Sequence, residues 1–225
     1  MKELYVFLTH HFEEPFLSFI KKIPPENCII LFDEEKELKN VSIKIPIIKI
    51  KRIPTSYDMF GHSMYIHFFR NNKQLIEKYD YVWIIENDVY VPFNIQGKTF
   101  MELHQQFDYD LMVPEYGVRD SKWCWLRSLR GFSKIQQIGV TAVIFRMSKK
   151  FLKELIKIDM KYSGYLEAVL PHICLENNLS LQCFLPEYIG KVTTDRDNIL
   201  VRQVMENPDL REEKLYHPFK KHTVS

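Results

Sequence analysis

At 225 residues with 46% hydrophobic content, the chain is long enough to bury one substantial core. With 31 Lys and Arg against 29 Asp and Glu, the formal charge of +2 excludes a whole-molecule field that holds nucleic acid through many phosphates, although local groups can still hold a nucleotide-sized anion. The longest uncharged apolar stretches, such as Tyr81 to Ile85 and Val140 to Phe145, fall far short of the roughly 20 residues that span a bilayer, and His10, His11, Glu13 and Glu14 arrive too early for a signal-peptide core. A cytoplasmic protein with no transmembrane segment is expected.

Short apolar runs alternate with helix-like stretches in the first half, which predicts an α/β fold: a single domain over 1–225 with a mostly parallel central sheet flanked by helices. Glu3 to Thr9 reads as a strand and Glu13 to Lys22 as a helix, stopped by Pro24 and Pro25 because proline lacks an amide donor and restricts the residue before it. Cys28 to Phe32 is a second strand ending on Asp33, Glu34 and Glu35. Val41 to Ile50 is rich in β-branched residues, with Pro46 confining part of it to an edge or a loop. Met64, Phe68, Leu75 and Ile76 follow helical spacing and predict a helix over 63–79. Tyr81 to Ile85 is a buried-strand run that passes abruptly into Glu86, Asn87 and Asp88.

Beyond it, Thr99 to Phe107 reads as a helix and Asp110 to Pro114 as a strand. The 121–133 region is cationic and carries Trp123 and Trp125. Val140 to Arg146 is a strand, Ser148 caps a helix running to about Ile158, Leu166 to Asn177 is a helix despite Pro171, and Leu179 to Phe184 is a late strand. The charged tail, 195–225, is expected to pack back on the site as a C-terminal extension. The four cysteines, at 28, 124, 174 and 183, have no C-x-x-C spacing and read as core fillers of a reduced protein. A zinc set built from His172, Cys174 and Cys183 lacks a fourth partner and any recognised spacing.

In an open α/β sheet ligands collect beyond the carboxyl ends of strands, which is where Glu86, Asn87 and Asp88 fall. Residues 86 and 88 share a strand parity, so both carboxylates can face one bound species, and a divalent cation, Mn2+ or Mg2+, makes such a pair favourable while bridging a nucleotide's phosphates. The alternative is a strand that simply turns at Asn87 and Asp88, since both are ordinary turn residues.

The run Tyr81-Val82-Trp83-Ile84-Ile85-Glu86-Asn87-Asp88-Val89 resembles the strand and D-x-D-type motif of GT-A glycosyltransferases, with Glu in place of the first Asp. Gly139 to Ser148 is similar to the strand and helix start after that fold's acceptor-side loop, Ser163 to Pro171 to the segment with an acidic residue near the acceptor, and Tyr216-His217-Pro218 to a late histidine used as a metal ligand. The resemblance implies a nucleotide-diphosphate sugar donor, UDP- or GDP-linked, and a glycan or glycoconjugate acceptor. It implies metal ligation by Asp88 and His217, with Glu86 binding the metal through water or holding the ribose. Thr9, His10 and Asp33 would then border the nucleotide base, Arg70 would reach the ribose or phosphates, and Asn87 would belong to the donor cluster. Glu167 would act as the base of an inverting displacement.

Trp123, Trp125, Arg127 and Arg130 form a candidate acceptor surface or lid, or equally a pair of core tryptophans beside a basic helix face. Two other readings stand beside the transferase: a non-catalytic carbohydrate-binding module, and a nucleotidyltransferase that makes an activated sugar. The latter usually needs a glycine-rich phosphate loop, and the chain has 7 glycines with no G-x-G cluster after the first strand.

Overall fold

The computed structural model describes residues 1–12, 16–38, 42–51, 63–158, 160–192, 203 and 214–217. Its centre is a seven-stranded sheet built from β1 (Glu3–Thr9), β2 (Cys28–Asp33), β3 (Ile47–Ile50), β4 (Tyr81–Glu86), β5 (Leu111–Val113), β8 (Ile144–Ser148) and β9 (Leu181–Cys183), in the order β3-β2-β1-β4-β8-β5-β9. Only β8 runs against the others, pairing antiparallel with β4 and β5. The architecture is therefore α/β with a mostly parallel sheet, as expected from the alternation of apolar runs and helices.

Alternation along each strand divides two apolar layers. Leu4, Val6, Leu8, Val82 and Ile84 face α2 (Ser63–Asn71), α3 (Lys73–Lys78), α5 (Lys149–Leu155) and α6 (Leu166–Asn177), whereas Phe7, Trp83, Ile85 and Ile144 face α1 (Phe16–Ile20) and α4 (Phe100–His104). A strand covered on both faces needs apolar side chains at every position, which is why β4 reads as an unbroken run.

One charged pair lies inside this core. Arg146 Nε donates to Glu3 Oε1 at 2.9 Å, while Trp83 Nε1 and Gln105 Nε2 donate to Glu3 Oε2 at 2.9 and 3.2 Å. Arg146 also donates to the Phe107 carbonyl at 2.7 Å and lies 3.4 Å from the centre of the Tyr81 ring. Such a pair is tolerable in a low-dielectric interior only because its remaining donors and lone pairs are matched.

Several boundaries differ from the sequence expectation. The first helix covers Phe16–Ile20, the start expected at 13–15 lying outside the described residues. Among the described residues of the 41–50 stretch, only Ile47–Ile50 is strand, and it is an edge, with Pro46 just before it accepting from Ile30 N. The helix expected over 63–79 is two helices, because Asn72 turns its side chain back to the Phe68 carbonyl at 2.8 Å and interrupts the ladder.

Val140 to Arg146 is likewise not one strand. β7 (Ile138–Val140) pairs with β6 (Tyr116–Val118), and after a break at 141–143 the chain enters β8. Ser148 caps α5 as expected, accepting from Phe151 N at 3.1 Å, and its hydroxyl donates to Asp110 Oδ1 at 2.7 Å. Of the four cysteines, all unpaired, Cys28 and Cys174 are buried and Cys183 is half-buried, but Cys124 is exposed. It lies in a short 3-10 turn, Cys124–Ser128, whose buried residue is Leu126.

Candidate active site

β1 and β4 lie side by side, in register from Glu3 and Tyr81 to Leu8 and Glu86, so their carboxyl ends open on the same edge of the sheet. At that edge β4 is tied on both sides: Glu86 N donates to Val143 O at 3.0 Å and Asn87 N to Leu8 O at 3.1 Å. Val89 N then bonds back to Glu86 O at 3.2 Å, making a turn. Turn and site are thus the same feature. It is this turn, and not continued strand parity, that carries Asp88 to Glu86.

The third group comes from the far end of the chain. β11 (Leu215–His217) pairs with β10 (Ile189–Val192), and Tyr90 and Tyr216 exchange two backbone hydrogen bonds of 2.9 and 3.1 Å. The Tyr216 ring lies against Gly190, where a Cβ would stand 2.5 Å from it, so this close approach requires glycine. His217 is thereby placed with Nε2 at 3.7 Å from Glu86 Oε2 and 3.5 Å from Asp88 Oδ1. One ligand atom from each of the three residues lies within 4.8 Å of the others. Pro218 and most of the 195–225 extension lie outside the described residues.

The donor set fits a divalent cation. Two ligands of one magnesium-sized ion stand at most about 4.2 Å apart, and both imidazole–carboxylate separations meet that limit. Carboxylate oxygens suit magnesium or manganese, and the imidazole nitrogen tilts the preference toward a transition ion such as manganese. Gathering two carboxylates costs Coulomb energy that a shared cation offsets.

Asn87 links this group to the end of β1. Its Nδ2 lies 3.2 Å from His11 Nε2, and His11 is positioned by Thr9, whose Oγ1 accepts from His11 N at 3.1 Å and donates to the His11 carbonyl. His10 is exposed, its ring edge-on to that of His11 at 4.1 Å. His11 is the neighbour that sequence reasoning missed, since only His10 of the pair was assigned to the nucleotide base. The informative signal was the Thr9 turn, which aims the second histidine inward. Asp33 is buried at the end of β2, where its Oδ1 accepts from Glu35 N at 3.1 Å, and Phe12 stacks on Phe32 beside it at 5.5 Å.

Arg70 Nε donates to the Ile156 carbonyl at 2.6 Å, which ties α2 to the end of α5. His172 is a structural residue. Nδ1 lies 2.6 Å from the Ala168 carbonyl and Nε2 accepts from Gln136 N at 3.0 Å, which uses both ring nitrogens within the protein and leaves no role in a zinc set.

Glu167 lies in the first turn of α6 and is 9% exposed. Burial pushes its carboxyl up to about 7, outweighing the opposing hydrogen bond from its own backbone amide. The helix packs on β7, which leads through 141–143 to Val143, the residue that accepts from Glu86 N. Tyr165, two residues before Glu167, meets Trp125 at 5.5 Å between ring centres, and Trp125 meets Trp123 at 5.1 Å. All three rings are half-buried, so the two tryptophans are neither core residues nor fully exposed.

No protein-family profile matches the chain, and no curated protein does. Among solved structures, an inositol-1-phosphate CTP transferase from T. maritima superposes with a TM-score of 0.42 at 10% identity, over 82% of this chain and 85% of that one. A glycosyltransferase involved in the glycosylation of the major capsid of PBCV-1 gives 0.39 at 10% identity, over 97% and 95%. Core-mannan synthase A from Aspergillus fumigatus, in its Mn/GDP form, gives 0.39 at 9% identity, over 82% and 73%. These are loose likenesses of overall shape with almost no shared sequence. Among the described residues no helix is long and apolar enough to cross a membrane.

Proposed function

We propose that this chain is a divalent-metal-dependent glycosyltransferase that moves a sugar from a UDP- or GDP-linked donor to a hydroxyl of a glycan or glycoconjugate, with inversion at the anomeric carbon. The observation that carries this reading is the convergence of Glu86, Asp88 and His217, from the end of β4 and from β11, on a volume one cation can fill. Asp88 and His217 would hold Mn2+ or Mg2+, with Glu86 beside them as a direct or water-mediated ligand. When bound, the ion supplies charge neutralisation for a departing diphosphate.

The other roles fall to the protein's own groups. Thr9, His11 and Asn87 lie together beyond the carboxyl ends of β1 and β4, and with Asp33 and His10 they would border the nucleoside. Glu167 is assigned as the base. A carboxyl held near 7 by burial is matched to taking a proton from a hydroxyl at neutral pH, a match that an exposed glutamate lacks. Four unpaired cysteines accord with action in the cytoplasm. The described loop after β1, residues 10–12, holds no glycine, which favours this reading over a nucleotidyltransferase.

The test is a thermal-shift and turnover screen across UDP- and GDP-sugars, with manganese, with magnesium and with a chelator. A donor that raises the melting temperature only with metal, and is consumed only with metal, supports the reading. Equal stabilisation by the same nucleotides in chelator contradicts it.

A further inference from the structure

Trp123, Trp125 and Tyr165 form a continuous file of half-buried rings with centre-to-centre distances of 5.1 and 5.5 Å. Each ring is held. Trp123 lies so close to Gly139 of β7 that a Cβ there would stand 2.4 Å from it. The turn carrying Trp125 is closed by Ser128, whose hydroxyl donates to the Trp125 carbonyl at 2.6 Å and accepts from Tyr165 N at 3.0 Å. Arg130 and Ser163 add two backbone hydrogen bonds of 3.0 and 3.1 Å between the same segments. A fold that fixes three large rings and leaves part of each at the surface has prepared a rigid stacking ledge, which costs little ordering entropy when a flat ligand arrives.

The ledge is bordered by positive charge. The Arg119 guanidinium stands 5.6 Å from the centre of the Trp123 ring, and its Nε is buried without a hydrogen-bond partner among the described residues. Arg119 Nη1 also lies 3.5 Å from Glu115 Oε1, so its charge is partly matched; Lys122 and Arg127, on either side of the tryptophans, are exposed, and Asp120 is the single acid between Arg119 and Lys134. Two residues beyond Tyr165 comes the buried Glu167.

We infer that this ledge is the acceptor subsite and that it takes an anionic glycan, with a pyranose unit stacked on Trp125 and Tyr165 and a carboxylate or phosphate substituent facing the cations beside Trp123. The inference rests on the proposed transferase reading for what happens next: the stacked unit presents a hydroxyl toward Glu167. Its own content is separate, because the ledge would bind sugar through ring faces and cations that belong neither to the metal group nor to the residues at the ends of β1 and β4. Stacking supplies affinity for any pyranose, and the cations select the charged ones.

Tryptophan fluorescence on the whole chain, without nucleotide or metal, tests it; Trp83, fully buried, supplies a constant background. The probes are a neutral maltotriose, a trigalacturonate and a phosphorylated mannose oligosaccharide. At least one anionic probe should quench saturably and lose affinity with added salt, while maltotriose binds more weakly by roughly 10-fold. The pair of anionic probes separates a carboxylate from a phosphate as the recognised group. Trp125→Ala should weaken binding about 10-fold and Trp125→Phe should restore most of it, since a ring face remains. Arg119→Gln should weaken binding of the anionic probes and reduce the salt dependence, with Lys122 and Arg127 supplying the remainder.

Equal binding of neutral and anionic probes, or unchanged titrations in Trp125→Ala and Arg119→Gln, overturns the inference. Metal-dependent nucleotide binding, measured in the same variants, should be unaltered. Its absence from the parent protein while sugar binding persists would remove the transferase reading and leave the ledge standing.

Discussion

Two carboxylate centres sit near opposite ends of the same pair of strands, and they have been built to opposite ends. Glu3, at the start of β1, is enclosed by Arg146, Trp83 and Gln105, so its charge is matched inside the protein. Glu86, at the end of β4, is drawn toward a second carboxylate, Asp88, and toward an imidazole, His217. The first arrangement spends its electrostatics on holding β1, β4 and β8 together. The second assembles ligand atoms around a shared volume, which is the arrangement the proposed metal site requires.

Breaking the structural centre should have the largest effect. Arg146→Met leaves the Glu3 carboxylate buried beside apolar and amide groups, and stability measured by urea unfolding should fall by about 3–5 kcal/mol. Adding Glu3→Gln to that variant should recover part of the loss, because the uncompensated charge is gone. The functional centre should respond in the other way. Asp88→Asn should cut metal-dependent turnover by at least about 100-fold, roughly 3 kcal/mol of transition-state stabilisation, with an unchanged or slightly raised melting temperature because one of two gathered charges is removed. Unfolding of Asp88→Asn would make the two centres alike.

Glu167 sharpens the contrast, since it is a buried acid assigned to chemistry. Its folded-state pKa, about 7, lies above the ordinary value near 4.5. The stability it contributes as a protonated acid is complete below about pH 4.5 and is lost as pH rises through 7, by an amount on the order of 3 kcal/mol. Glu167→Gln, which cannot ionise, should therefore melt higher than the parent at pH 8 and no differently at pH 4. The parent's turnover should rise through pH 7 as the base ionises, and the variant should lose about 100-fold in turnover with donor binding preserved. Weak donor binding in that variant would place Glu167 on the donor side.

The smallest effect concerns packing alone. Ser148 caps α5 and donates to Asp110, whose carboxyl is held below its usual range; burial opposes this, but the hydrogen bonds from Ser148 and Ser180 prevail. Ser148→Ala should cost about 1 kcal/mol in unfolding free energy and leave metal binding untouched.

How much of this was legible in the residues follows from what local pattern encodes. β4 could be read because burial on both faces demands an unbroken apolar run, and the abrupt change to Glu86 marks its end. The cap at Ser148 and the helix over 166–177 could be read for similarly local reasons. His217 was reachable only through the family resemblance, since its placement depends on β11 pairing with β10 and Tyr90, far away in the chain. The bond from Arg70 to the Ile156 carbonyl was not legible, because helical spacing says that a residue lies on a helix but not which neighbour its side chain meets. The exposed Cys124 was taken for core because its neighbours are apolar, yet a 3-10 turn presents adjacent residues to different surroundings.

The central claim is that Glu86, Asp88 and His217 hold one divalent ion. Electron paramagnetic resonance of Mn2+, titrated into the protein with GDP or UDP present, measures this directly. The account predicts saturable loss of the free-ion signal at one equivalent in the parent protein, and marked weakening in both Asp88→Asn and His217→Ala while the circular dichroism of each stays native. Stoichiometric binding that persists unchanged in both folded variants would contradict it.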